Sequence, residues 1–462
     1  MLAPPPGIQG SQKAQSLVPW RLSHASLRPN RKENLVAETL IPSTITEKIL
    51  ARAAGLPRVA AGEEITYTPD FVMAYELRGV TDKLQDNLSA RLGVERLRSP
   101  EKFIMFIDHR VPSRLPEDEA LHEKTRLWSH QHGVKLYDRG GIGHQVAVEE
   151  GYAVPGSVSV HFDAHVMQIG AYGALGFGIR SQLIQAFSQE RVTMAVPASA
   201  RVRFTGRLMP WCDARDVFHA LVLAVGPDGC AFKVLEFDDR HLGGLTREDL
   251  QKITGMMMFT GAVSAIVNPG GGEEAPTAPA ARASLPVMRS DEAARYEPDL
   301  WLDLSRVEPS IAVPPTPAEV RPIGGLLGQP VQAGYLGSCA SGRLGDLRAA
   351  ARVLAGRRIA PGFSLNVVPS SQAIMAQASR EGTLAQLVDA GAFISSPSCD
   401  YCSGYAGVMS AGQRAVSTGT LNVPGRMGHT DAEIYLCSPY VLAATALHGV
   451  LTDPRALEQS HA

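Results

Sequence analysis

Apolar residues recur at helical spacing through ENLVAETLIPSTITEKILARAAG (33–55), where the Thr44–Ile45–Thr46–Glu47 stretch supplies N-cap chemistry. From about 102 to 195, the short apolar runs FIMFID, VKLYD and SVSVHFD alternate with glycine-containing segments. That alternation predicts buried strands joined by helices, an α/β domain over 33–195. A second series (ARVRFTGRL, HALVLAV, AFKVLEF) predicts another α/β domain over 196–300. Proline, glycine and alanine break the pattern over 269–320, so 301–320 is expected to be a linker without helix or central strand. Residues 321–462 return to α/β character, with Leu344, Leu347, Ala351 and Leu354 on one helical face. The run IGAYGALGFG places Gly170, Gly173, Gly176 and Gly178 among small residues but lacks a nucleotide-loop order, so a closely packed helix is expected. No internal repeat is evident.

At 462 residues the chain exceeds what one core supports. Hydrophobic content of 45% and charged content of 19% describe a globular protein. A net charge of −2 gives no electrostatic case for nucleic acid or membrane binding, and no apolar run approaches the ~18 residues of a spanning helix. Six cysteines are too few and too scattered for a disulfide framework, which points to a reducing compartment, the cytoplasm. Cys212, Cys230 and Cys437 read as buried free thiols. Residues 1–32 carry five basic residues, four serines and no acid. They read as a disordered leader, as the product of a misplaced start, or as a transit peptide to an organelle matrix.

Two groups of residues carry candidate chemistry. Cys339 in GSCASGR precedes a helix, while Cys399 and Cys402 form a Cys-x-x-Cys pair in a Pro/Ser/Gly loop. Thiolates suit iron–sulfur clusters and zinc; taken alone, the pair is also compatible with a zinc half-site or a redox couple. Asp108 and His109 follow the strand FIMFI, His144 sits in GGIGHQV, and Asp163 and His165 follow SVSV. Carboxylate–imidazole pairs at strand ends are how α/β proteins present acid/base groups, and a carboxylate tunes histidine for proton transfer.

In order from about 35 to 455, these segments resemble the aconitase superfamily. DHR, GIGHQV and DAHVMQIGAYGALGFGI resemble its DH, GIGH and DSHT followed by GA-x-GAL-x-FGI. GSCASGRLGDLRAAA, PSCDYCSG and STGTLNVPGRMG resemble its GSC-T-N-GR, PSCG-x-C-x-G and STSNRNF-x-GRMG. The resemblance implies three α/β domains around a [4Fe–4S] cluster held by Cys339, Cys399 and Cys402. It implies dehydration of a hydroxy di- or tricarboxylic acid, with Asp108–His109 protonating the departing hydroxide. His144, Asp163 and His165 would support that step, and Arg426 would clamp a carboxylate. The family's fourth, swivelling domain has no counterpart, so the chain is expected to be a large subunit like that of isopropylmalate dehydratase, completed by a small subunit carrying that domain. Around the substrate the wording departs: Ala164 and Val166 replace a serine and a threonine, and Thr420, Leu421, Asn422 and Val423 replace NRNF after Ser417. Met256–Thr260 aligns with a segment that carries an asparagine and a glutamate in relatives. A less polar pocket follows, together with a substrate other than citrate or ordinary isopropylmalate. The alternative is a cluster-binding homologue without hydratase activity, either a cofactor-independent isomerase or a regulatory binding protein.

Overall fold

The computed structural model describes residues 41–269 and 285–457. The basic leader 1–32 therefore lies outside the described residues. Three largely parallel sheets share one strand order. In the first, strands Phe71–Tyr75, Phe103–Ile107, Lys135–Asp138, Val158–His161 and Leu175–Gly178 lie in the spatial order third, second, first, fourth, fifth. The second sheet places Ala198–Thr205, Lys233–Asp238, Ser264–Asn268 and Asp299–Asp303 as third, second, first, fourth. In the third sheet, Ala333–Leu336, Ser364–Val367, Phe393–Ile394, Arg414–Ser417 and Glu433–Cys437 repeat the five-strand order of the first. A repeat absent from the residues is thus present in the topology. Each first strand is flanked by the second and the fourth, which makes its carboxyl end a switch point where crossovers diverge and a crevice opens.

Local signals account for the helix starts. Thr44 Oγ1 accepts from the N–H of Glu47, and Glu47 answers by accepting from the N–H of Thr44 at 2.8 Å, so the helix is Ile45–Ala54. The 33–40 part of the helical pattern falls outside the described residues. Two expectations are corrected. The glycine run is not one helix: a 3₁₀ segment, Ala164–Tyr172, ends at Gly173 in the left-handed region and gives way to the strand Leu175–Gly178. Nor is 301–320 free of central strand. Ser310–Ala312 pairs antiparallel with Val320–Pro322 on one side and with Glu433–Cys437 on the other. The prolines of this stretch (309, 314, 315, 317) fall outside Ser310–Ala312, so its donors stay available to the ladder.

Tight packing between the first two sheets explains the small residues of the run. A Cβ on Gly170 would overlap the Ala265 carbonyl oxygen. Gly170→Ala is expected to cost about 1–3 kcal/mol by overpacking, read as a lower urea midpoint at unchanged m-value. Among the described residues no helix is long and apolar enough to cross a membrane. Cys212, Cys230 and Cys437 are buried free thiols, as expected.

Candidate functional site

The strand Phe103–Ile107 is buried at every position and delivers Asp108 at its carboxyl end. One oxygen of Asp108 accepts the Gly143 N–H at 2.8 Å; the other lies 2.7 Å from His109 Nδ1. Glycine at 143 is required by close approach, since a Cβ there would stand 2.7 Å from the Phe106 ring. Behind the pair, the buried Glu76 accepts the N–H of Asp108 at 3.0 Å and of His109 at 2.7 Å. Burial pushes the Glu76 carboxyl up to about 7 against the pull of His122, whose Nε2 lies 3.6 Å away. Burial also works against a charge on His109, but Asp108 outweighs it and holds the imidazole protonated well above its usual range.

The neighbouring strand Val158–His161 supplies the second group. His161 Nδ1 accepts the Asp163 N–H at 2.8 Å, so its proton sits on Nε2. Burial pushes the His161 imidazole down to about 3 and holds His144 low as well, leaving both rings neutral. Asp163 accepts from the His165 N–H at 2.8 Å and from the Tyr75 hydroxyl at 3.2 Å. Burial opposes its ionisation, but His165, whose N–H it accepts, outweighs burial and keeps it a carboxylate. His165 Nδ1 lies 2.7 Å from the Gly255 carbonyl oxygen, which can only accept, so Nδ1 donates to it.

The thiols approach from the third sheet. Cys339 follows the first strand of that sheet; Cys399 is the N-cap of the short helix Asp400–Ser403, and Cys402 lies within it. The Cys399 N–H donates to the Asp108 carbonyl oxygen at 2.8 Å, which joins the cysteine loop directly to the acid/base loop. Cys402 Sγ lies 3.6 Å from Thr420 Oγ1 and 3.5 Å from Arg426 Nη2. Burial raises its pKa, but Arg426 outweighs burial and favours the thiolate. All three sulfurs act electrostatically on Arg426 and on Tyr335, so they share one locus. Tyr75 ties the two sides together: its ring lies 4.7 Å from that of His109 and 5.0 Å from that of His161, and it feels Cys399.

A buried amide–guanidinium lattice holds the three sheets in register. Arg343 Nε donates to Gln145 Oε1 at 2.9 Å, and its Nη2 donates to Gln168 Oε1 at 2.7 Å and to the Cys339 carbonyl at 2.9 Å. Gln251 Nε2 donates to the same two glutamine oxygens. Arg215 reaches from the second sheet to the Thr418 and Gly419 carbonyls at 2.7 and 2.8 Å.

Asp108, His109, His144, Asp163, His165, Arg426 and the three cysteines are therefore neighbours. Ser417 is buried, and its hydroxyl accepts the Gly419 N–H at 2.9 Å. Leu421 is half-buried on the same loop. Ala164 lines a cavity of about 480 Å³ at the edge of the first sheet, with Phe162, Arg180 and Met194. The expected place of the family glutamate is corrected: Thr260 turns its hydroxyl onto the Met257 carbonyl, and its own carbonyl accepts the Cys230 N–H. Phe259 is the member of that segment whose ring faces His165, at 6.2 Å. Sequence reading missed Tyr75, Glu76, His161 and Arg343. For Glu76 and His161 the strand-end rule already applied was signal enough.

The profile of the aconitase family (aconitate hydratase) matches residues 47–330 and 325–449. The chain belongs to the aconitase family. It is an aconitase-type hydro-lyase, of the lyase class. The homoaconitase large subunit of Thermus thermophilus is 37% identical over 431 residues, 90% of this chain and 98% of that one. A 3-isopropylmalate dehydratase large subunit of Methanopyrus kandleri is 34% identical over 89% of this chain and 99% of its own length. The corresponding subunit of Aquifex aeolicus is 34% identical over 89% and 96%.

The donor set suits the iron–sulfur chemistry common in this family. The three sulfurs do not crowd onto one ion: among the described residues, the one trio of ligand atoms within 4.8 Å is Glu76, Asp108 and His109, which already satisfy one another. Buried polar atoms without a protein partner surround the locus instead, namely His144 Nε2, His161 Nε2, the Tyr335 hydroxyl and Arg426 Nε. Such atoms require a polar group between them.

Proposed function

We propose that Cys339, Cys399 and Cys402 hold a [4Fe–4S] cluster in the large subunit of a hydro-lyase that dehydrates, and can rehydrate, a hydroxy di- or tricarboxylic acid with an apolar substituent. The observation that carries this reading is the bond from the Cys399 N–H to the Asp108 carbonyl, which sets the acid/base pair against the thiol loop. With three thiolate ligands the cluster would leave one iron free as a Lewis acid for a substrate hydroxyl and carboxylate. The chain's own residues supply the rest. His109 carries the proton for the departing hydroxide; Asp108 holds its Nδ1, so Nε2 is the nitrogen left on the side of the Cys399 thiol. Arg426, with Nε unpaired, receives a substrate carboxylate in a charge-assisted pair. His165 and His144 orient the substrate beside Asp163. The relatives' names call them large subunits; a small subunit completing the site accordingly belongs to this proposal, as does a cytoplasmic location.

Ala164, Val166 and Leu421 stand where the family wording has a serine, a threonine and an arginine, and the Phe259 ring faces His165, so the substituent is apolar. The test is anaerobic purification, cluster reconstitution, and a panel of hydroxy diacids with lengthening alkyl chains, run with the small subunit against citrate and 3-isopropylmalate. Preference for a longer chain is expected; preference for citrate overturns the substrate assignment. No turnover of any member, with iron loaded, would make the protein a cluster-binding homologue without hydratase activity. Leu421→Arg is expected to swing the kcat/KM ratio toward citrate by roughly 10- to 100-fold, the worth of a charged contact of about 1.4–2.8 kcal/mol.

A further inference from the structure

The family wording PSCG-x-C places glycine between the paired cysteines, where this chain carries Asp400. The structure gives that carboxylate a task. Its two oxygens accept the backbone N–H groups of Arg110 at 2.5 Å and of Val111 at 2.8 Å, so a side chain of the third sheet grips the loop that leaves His109. Asp400 is buried, and Ser398 Oγ donates to it at 3.2 Å. Arg110 sits at φ 55, a left-handed conformation uncommon outside glycine, in the residue directly after His109. Strained backbone of this kind persists where the surroundings over-determine it, and here the paired acceptors of Asp400 do so. The grip is reinforced on the other side: the Arg110 guanidinium pairs with Asp118 at 2.5 Å and lies 4.3 Å above the Tyr405 ring. Tyr405 itself donates its N–H to the Asp400 carbonyl at 2.9 Å. A glycine at 400 would keep the backbone bond from Tyr405 but lose both side-chain acceptors for the Arg110 and Val111 amides.

We infer that Asp400 is a positioning residue: it straps the Asp108–His109 loop to the cysteine loop and sets the orientation of His109 toward the site. The inference rests on the proton-carrying role given to His109 above. Two variants test it in the full-length, cluster-loaded protein. Asp400→Gly restores the family residue, and Asp400→Asn keeps the shape but offers one acceptor for two donors. Amide hydrogen exchange at Arg110 and Val111 is expected to quicken by about tenfold or more in Asp400→Gly, and less in Asp400→Asn. Turnover should fall in the same order, with kcat down roughly 10- to 100-fold at little change in KM and an altered pH profile of kcat/KM, because a small misplacement of the proton carrier acts on the chemical step. Unchanged exchange would overturn the strap. Quicker exchange with unchanged kcat and pH profile would overturn the positioning role. The exchange result does not depend on His109 being the proton carrier, which its own substitution tests; should Asp400→Gly fail to fold, Asp400→Asn decides.

Discussion

Alanine at Cys339 is expected to leave the protein folded, colourless and without turnover. The thiol is buried in a loop whose backbone is held by its neighbours: the Cys339 carbonyl accepts from Arg343, and the Ala340 N–H is held by Ser338. Alanine fills nearly the same volume and leaves those bonds in place, so the thermal midpoint should move little. What disappears is one of the three proposed ligands, and with it the proposed Lewis acid. A metal centre that polarises the leaving group is worth several kcal/mol, so a loss of roughly 1,000-fold or more in kcat/KM is expected. Iron and acid-labile sulfide per chain, read beside the visible spectrum and the rate, check this directly. Cys437→Ala is the contrast: that thiol is buried in a strand of the third sheet, and iron content should stay whole. Full iron loading and normal turnover in the Cys339 variant would remove the cluster from these residues.

His109→Asn has the second largest expected effect. Asparagine keeps a polar group beside Asp108 but cannot carry a transferable proton at neutral pH. Positioned general acids contribute about 10²- to 10⁴-fold, and a drop of that size in kcat is expected with iron content intact. KM should hardly move, because the substrate contacts proposed for Arg426 and the cluster do not involve His109. Steady-state kinetics on iron-matched samples separate the two parameters, and a variant that retained wild-type kcat would displace His109 from the chemistry.

What could be read in advance followed the range over which each signal acts. Thr44 and Glu47 announce a helix start because both partners of the capping box lie within one turn. Asp108, Asp163 and the cysteines were visible because each ends a strand or stands in a short, ordered motif. Glu76 ends the strand Phe71–Tyr75 in the same way, yet its role depends on two amides more than 30 positions downstream. Arg343 meets Gln145 and Gln168 across 198 and 175 residues, a distance at which no periodicity reports a contact. The glycine run was legible as close packing but not as a change of element, since small residues serve a 3₁₀ turn and a strand equally well. Thr260, aligned with an acid by motif, turns its hydroxyl onto the Met257 carbonyl, a placement that the motif does not report.

The bond from Arg110 to Asp400 spans 290 positions of chain. At a synthesis rate of about 5–20 residues per second, the acid/base loop waits roughly 15–60 s on the ribosome before its cysteine partner emerges. During that interval the first sheet can fold while its reactive face still lacks the wall that shields it. The proposed three-cysteine site is whole only once Cys402 has followed Cys339 off the ribosome.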